Sequence, residues 1–335
     1  MKRPDVSEFY CAYNPLTADS SGIDGRANWG DSMKTIGMLF GVVNLCLIAT
    51  LATAQPLSDR GLGLANQGPD LKFPEEATEL SFFSPLTMAI YKPAGSGPFP
   101  ALVLVHTCGG LRLGNGAPRQ EIRDWTKLAL ERGYVVFVID SLSARGVSAQ
   151  DGCDPATWVP PGRGAKDALQ AREHLRKFAF VDQDRVALVG FSWGAMVGLY
   201  VSSGGIASQL SSSRYGAVVA FYPLCHVPGG GRFREVTWLR ADTDKPLLIL
   251  MGDQDNETRP TECITRLEKL AQQGAPVEWH LYPGATHCWD CSSLDNFSKT
   301  NLFGDRVVYR YDRQTTQDSA ERMFAFLAKR LKPDR

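Results

Sequence analysis

From about Phe73 onward, short runs of Val, Ile and Leu alternate with longer stretches in which apolar residues recur at helical spacing. Apolar runs of four to eight residues bounded by Gly, Pro and Asp read as buried strands. They predict strands over Met88–Lys92, Ala101–His106, Val135–Asp140, Val186–Gly190, Ala217–Phe221, Pro246–Met251 and Val277–Tyr282. The amphipathic stretches predict helices over Glu121–Arg132, Ala165–Phe178, Ala195–Ser202, Thr261–Gln273 and Thr316–Leu331. Strand and helix alternating along one chain is the pattern of a mostly parallel sheet, here of about seven or eight strands, with helices on both faces. No internal repeat or second alternating block interrupts it, so one domain is expected over 75–335.

The pattern before that point is different. Met33-Lys34 precedes the apolar run Ile36 to Leu51, which Ala52-Thr53-Ala54 and Gln55 follow. A charged start, a short apolar stretch and an A-x-A site make a secretory signal peptide over 33–54, with cleavage after Ala54. The run is shorter than the roughly 20 apolar residues of a membrane span. The mature chain is therefore expected to be periplasmic or secreted, with no stable membrane span after cleavage; an uncleaved anchor is the alternative. Residues 1–32 are polar and rich in Gly and Asp, and a signal peptide normally opens a chain. They are expected to be a non-native or disordered extension, with translation starting at Met33. Residues 55–74 carry Gly, Asn, Asp and Pro without periodicity and read as a linker.

Composition narrows the function. The 335 residues are 44% hydrophobic and 21% charged, which is ordinary for a globular protein. Lys plus Arg and Asp plus Glu both number 36, so no basic excess recommends nucleic acid or an acidic membrane as partner. A small neutral substrate fits better. Of the 8 cysteines, Cys11 and Cys46 precede the cleavage point, leaving an even number in a compartment that oxidises thiols. Cys225 follows one predicted strand and Cys263 opens the helix after the next, so they are the expected disulfide pair. Cys288 and Cys291 form C-x-x-C with no second such pair or His pair nearby, and no metal is expected.

Candidate chemistry centres on Gly190-Phe191-Ser192-Trp193-Gly194, placed directly after a buried strand and before an apolar helix. This is the setting of the nucleophile elbow in an α/β-hydrolase fold. Such a turn holds the serine in a strained backbone conformation that bulkier neighbours would obstruct. The serine needs a base, and five histidines are available. His174 and His280 lie within predicted elements and His106 ends an early strand. His287, in the loop after the last strand, holds the position a base requires; His226 is the runner-up. The acid follows the strand between serine and histidine, where Asp253 and Asp255 both stand; Asp255 lies further round the turn and ranks first. Backbone N–H groups of Trp193 and of Cys108, in the loop His106-Thr107-Cys108-Gly109-Gly110, are expected to form the oxyanion hole.

These segments resemble the dienelactone hydrolase family from about Glu79 to Leu331. The likeness rests on LVLVHTCGGL, FVIDSLSARG, VDQDRVALVGFSWGAM, LLILMGDQDNETRP and YPGATHCWD, each in family order. It implies a triad of Ser192, Asp255 and His287, and its Gly-x-x-Asp spacing supports Asp255 over Asp253. The best-known members use a cysteine nucleophile and carry glutamate where Thr107 stands. They also clamp a substrate carboxylate with two arginines. Arg145 matches one and is expected to bind substrate, whereas Cys291 stands at the other position. Trp289, with Trp193 and Trp158, is a candidate to wall the pocket. The resemblance implies hydrolysis of a small-molecule ester or lactone through an acyl-enzyme, with no cofactor. A peptidase or acyltransferase on the same triad, and a non-catalytic binding protein on a hydrolase scaffold, are the alternatives.

Overall fold

The alternation of inward and outward apolar residues sorts the central strands onto two cores. Ala101, Val103 and Val105 face one side of the sheet while Leu102 and Leu104 face the other. The same alternation places Leu188 on the first side and Ala187 and Val189 on the second. A sheet apolar on both faces needs helices on both, and it has them.

The structure, a computed structural model, describes residues 69–81, 86–149, 151–154, 157–230, 235–301 and 304–332. The expected extension (1–32), the signal peptide (33–54) and residues 55–68 of the linker lie outside the described residues. No helix among the described residues is long and apolar enough to cross a membrane.

The strands are β1 (Ala77–Thr78), β2 (Ala89–Tyr91), β3 (Phe99–Val105), β4 (Val135–Ile139), β5 (Val181–Phe191), β6 (Ala217–Phe221), β7 (His226–Val227), β8 (Val236–Thr237), β9 (Leu247–Gly252), β10 (Val277–Tyr282), β11 (Ser298–Thr300) and β12 (Arg306–Val308). Eight of them form one sheet in the order β1-β2-β4-β3-β5-β6-β9-β10. Only the β2–β4 pairing in this sheet is antiparallel. The pairs β7–β8 and β11–β12 are short antiparallel ribbons outside it.

The helices are α1 (Gln120–Glu131), α2 (Pro161–His174), α3 (Trp193–Ser202), α4 (Gly204–Leu210), α5 (Thr261–Gln272) and α6 (Arg313–Arg330). On one face α2, α3 and α5 supply Leu169, Val197 and Leu267; on the other, α1 and α6 supply Ile122, Trp125, Ala129 and Leu327. The spacing of Ile122, Trp125 and Ala129 is one helical stripe. Helix α3 has no polar face: every residue from Trp193 to Ser202 is buried, because it lies between the sheet and α2. Helix α6 is capped by Asp312, whose side chain accepts from the Thr315 N–H at 2.9 Å.

The folded region starts before the expected boundary at 75. Leu71 is buried, Phe73 packs edge-on against Phe137 at 5.4 Å, and Asp70 accepts from Arg163 at 2.7 Å. The ion pairs of Asp70 with Arg163 and Lys166 hold its carboxyl well below the usual range. Such a segment is tied to α2 by contacts with no local periodicity, which is why it reads as linker.

Candidate active site

Strand β5 ends at Phe191 and α3 begins at Trp193, so the chain reverses its geometry at a single residue. Ser192 takes φ 52° and ψ −109°, a conformation that costs a non-glycine residue on the order of 1–3 kcal/mol. The surroundings enforce it. The Ser192 N–H donates to Phe221 O at 2.9 Å and the Gly194 N–H donates to His106 O at 3.1 Å. A Cβ at Gly194 would sit 2.2 Å from Val105 O, and one at Gly190 would sit 2.0 Å from Gly194 O. Both flanking glycines are thus required by close approach of backbone to backbone.

His287 Nε2 stands 3.0 Å from Ser192 Oγ, and Nδ1 stands 2.7 Å from Asp255 Oδ2. All three side chains are buried. The other oxygen of Asp255 accepts the N–H groups of Glu257 and Thr258, each at 2.9 Å, while the Thr258 hydroxyl donates to Oδ2 at 2.7 Å. Burial alone would raise the Asp255 pKa, but the facing imidazole and these donors outweigh it and hold the carboxyl below its ordinary value. For His287, burial disfavours the charged ring, yet the Asp255 carboxylate, with Glu257, pushes its pKa above the ordinary value. The arrangement can therefore draw a proton from Ser192 and stabilise the imidazolium that results.

Asp253 takes the other role open to it: its side chain accepts from the Gly284 N–H at 2.7 Å, as a turn residue. His226 bonds Thr237 Oγ1 through Nδ1 at 2.9 Å on the β7–β8 ribbon and touches neither Ser192 nor Asp255. His106 receives the Ser141 N–H at Nε2 and so donates from Nδ1 to Thr107 O, at 2.6 Å. Burial pushes its pKa down, and it is a neutral clamp between the ends of β3 and β4.

Trp193 follows the serine directly, and Cys108 lines both cavities that Ser192 borders. Gly109 donates to Thr107 Oγ1 at 3.4 Å and Gly110 to Thr107 O at 3.0 Å, so the loop satisfies these two donors itself. No acceptor among the described residues takes the N–H of Cys108 or of Trp193 at the start of α3. Cys108 is bridged to Cys153, which pins this loop to the 3-10 turn Asp151–Cys153. The fit is close: a Cβ at Gly152 would lie 2.1 Å from Cys108 O. The structure also pairs Cys225 with Cys263 and Cys288 with Cys291. Cys288, Asp290 and Cys291 are clustered closely enough to resemble a metal site, but both sulfurs are committed to their disulfide.

Two expectations are corrected. The Arg145 guanidinium is bidentate on Asp167, at 2.8 and 2.9 Å, and also donates to Ser141 O and Pro69 O. It is buried in that network and borders neither cavity at Ser192. Trp289 is fully buried beneath the histidine loop, packed on Tyr222 and Tyr282, and walls no cavity at the site. Trp158 and Trp193 do border one of the cavities.

Several residues at the site carry no motif. Thr258 braces Asp255 and also lies 3.2 Å from His287 Nδ1. The D-x-x-T pattern after a strand, an Asx-type turn, is the signal that could have found it. Lys299 bonds Glu257 at 2.7 Å, and Tyr309 donates to the same carboxylate at 2.8 Å. Both come from the segment after His287, where the sequence shows no periodicity.

Comparison with known proteins gives the same frame. Residues 86–331 match the model of the dienelactone hydrolase family. The chain belongs to the dienelactone hydrolase family. Membership places it among hydrolases of the α/β-hydrolase fold, and solved structures agree on that fold. A dienelactone hydrolase-type protein from Klebsiella pneumoniae subsp. pneumoniae MGH 78578 is 22% identical, with a TM-score of 0.53 over 71% of this chain and 90% of that one. Esterase 2 of Thermogutta terrifontis, phosphonylated by cyclosarin, is 19% identical, with a TM-score of 0.53 over 73% of this chain and 90% of that one. Within this dienelactone hydrolase family member, the elbow carries serine where the resemblance associates cysteine with the best-known relatives.

Proposed function

We propose that the protein is a serine hydrolase of carboxylic esters or lactones, with Ser192 as nucleophile, His287 as base and Asp255 orienting the imidazole. The observation that carries this reading is the unbroken line from Ser192 Oγ through His287 to Asp255, at 3.0 and 2.7 Å. Ser192 Oγ attacks the carbonyl carbon as its proton passes to His287 Nε2. The developing oxyanion lies against the N–H groups of Trp193 and Cys108. The carbon–oxygen bond to the alcohol then breaks, and the alcohol leaves with the proton from His287. Water attacks the acyl-enzyme, giving its proton to His287, and the acid departs as the proton returns to Ser192.

The triad favours catalysis over a purely binding role, because an imidazole buried between a strained serine and a carboxylate serves no packing need. The signal at 33–54 supports export, and the Cys108–Cys153 and Cys225–Cys263 bridges suit an oxidising compartment. The test is hydrolysis of a panel of neutral esters and lactones by the full chain and by Ser192→Ala. Turnover by the parent and its loss in the variant are expected; equal turnover by both overturns the reading. Release of amine from amide substrates at a rate comparable to ester cleavage would select the peptidase alternative.

A further inference from the structure

Ser192 stands where two cavities meet. The smaller, of about 220 Å³, is bordered by Trp193, Trp158, Met196 and Leu224 and does not reach His287. The larger, of about 340 Å³, is bordered by His287, Leu113, Leu294 and Phe297 and does not reach Trp193. Both include Ser192 and the Cys108–Cys153 bridge. Phe297 is the one large apolar side chain among the described residues that is well exposed, at 44%.

We propose that the smaller lobe receives the acyl chain and the larger lobe the alcohol, and that the substrate is a neutral open-chain ester with a short apolar acyl group and a bulkier apolar alcohol. This rests on the reading of Ser192 as nucleophile. The assignment follows from the proton's path. The leaving oxygen takes its proton from His287 Nε2, so the alcohol lies on the side that His287 borders. The acyl group stays on Ser192 with its carbonyl oxygen at the Trp193 and Cys108 N–H groups, so its chain runs into the lobe that contains Trp193 and lacks His287.

The lining sets the chemistry. Met196, Leu224 and Trp158 offer apolar and thioether surface. At about 30 Å³ per water-sized group, the smaller lobe holds about seven such groups. The cations that border the lobes are already matched: Lys299 with Glu257 at 2.7 Å and Arg119 with Glu121 at 3.2 Å. With Arg145 bound to Asp167 as well, each described cation that borders the lobes or was expected there is already paired, which favours a neutral ester.

The experiment measures kcat/KM for two series: p-nitrophenyl esters from acetate to dodecanoate, and butyrate esters of alcohols of increasing size. The parent is expected to peak at an acyl chain of about four to six carbons and to fall at least about tenfold by dodecanoate. Met196→Ala, and separately Trp158→Ala at the half-buried rim, are expected to move the acyl optimum to longer chains and leave the order of the alcohol series unchanged. Phe297→Ala is expected to raise KM about tenfold for the bulkier alcohols without moving the acyl optimum. A Met196 or Trp158 variant that reorders the alcohol series instead, or folded and active variants of both that leave the acyl optimum in place, overturns the assignment. So does a parent that prefers long acyl chains. If Ser192→Ala keeps its activity, the nucleophile reading fails; if it is inactive while the optima do not respond, only the lobe assignment fails.

Discussion

Tyr222 donates its hydroxyl to Asp290 at 2.8 Å while its ring stands edge-on to the imidazole of His287, with centroids 4.7 Å apart. The same carboxyl accepts the Trp125 indole N–H from α1 at 2.7 Å. Asp290 thus anchors the histidine loop to the core from three residues past His287.

This anchor makes stability depend on pH. Burial, with the nearby Glu121 charge adding to it, pushes the Asp290 pKa from 3.8 up to about 6. A carboxyl whose folded pKa lies above its unfolded value favours folding fully below about pH 3.8 and loses that advantage as pH rises through about 6. At about 1.4 kcal/mol per pH unit, the difference is on the order of 3 kcal/mol. Asp290→Asn is expected to remove this decline, read as a flatter unfolding free energy between pH 4 and 6 in urea titrations. Identical profiles for parent and variant would contradict the assignment.

Activity follows a different group with a different sign. The base must be neutral, so kcat/KM is expected to rise as pH increases through the His287 pKa, on a limb lying above 6.5. Asp255→Asn removes the charge that raises it and disturbs the tautomer, which in comparable triads lowers kcat roughly 10⁴-fold. The pH–rate profile checks both: the limb in Asp255→Asn should move to lower pH. A limb that stays in place assigns it to another group.

Thr258 is expected to act through Asp255. Thr258→Val removes the 2.7 Å donor to Oδ2 and keeps the shape. A hydrogen bond to a charged group contributes about 1.5–3 kcal/mol, so kcat should fall roughly 10- to 100-fold with KM little changed. Thr258→Ser should recover most of it. Failure of Ser to restore activity would mean that the methyl group, through packing, matters more than the hydroxyl.

The Cys108–Cys153 bridge should affect rate as well as stability. Closing a loop of sequence separation 45 is worth about 4 kcal/mol on the chain-entropy view. Cys153→Ala should therefore lower Tm. It should also lower kcat, by up to the 10²–10³-fold typical of a lost oxyanion donor, because the Cys108 N–H is no longer held in place. A lower Tm with unchanged kcat would assign the bridge to stability alone.

Much of this architecture is written in local pattern. Strands β3, β6 and β9 are continuous apolar runs because both faces are covered, as is the Val186–Phe191 part of β5, which is legible together with its elbow because glycine is the residue that such close backbone approach permits. Helix α2 begins at Pro161, four residues before the expected start, since proline costs nothing at a helix's first position. Strands β1, β7, β8, β11 and β12 span two or three residues each, too few to show a period. Arg145 shows the deeper limit. Its position along the chain is visible, but Asp167, which occupies its guanidinium from 22 residues away on α2, is not. Trp289 is similar: proximity to His287 in sequence does not reveal that its ring points into the core. Lys299 and Tyr309 reach the site through tertiary contacts that no spacing rule encodes.

The central claim is that one serine hydroxyl is activated by its buried imidazole, and covalent trapping tests it most directly. The full chain is treated with a fluorophosphonate, and intact mass and peptide mapping locate the adduct. A single adduct on the peptide containing Ser192 is expected, with labelling lost in Ser192→Ala and strongly slowed in His287→Ala. An adduct on another residue, or none in folded protein, would contradict it.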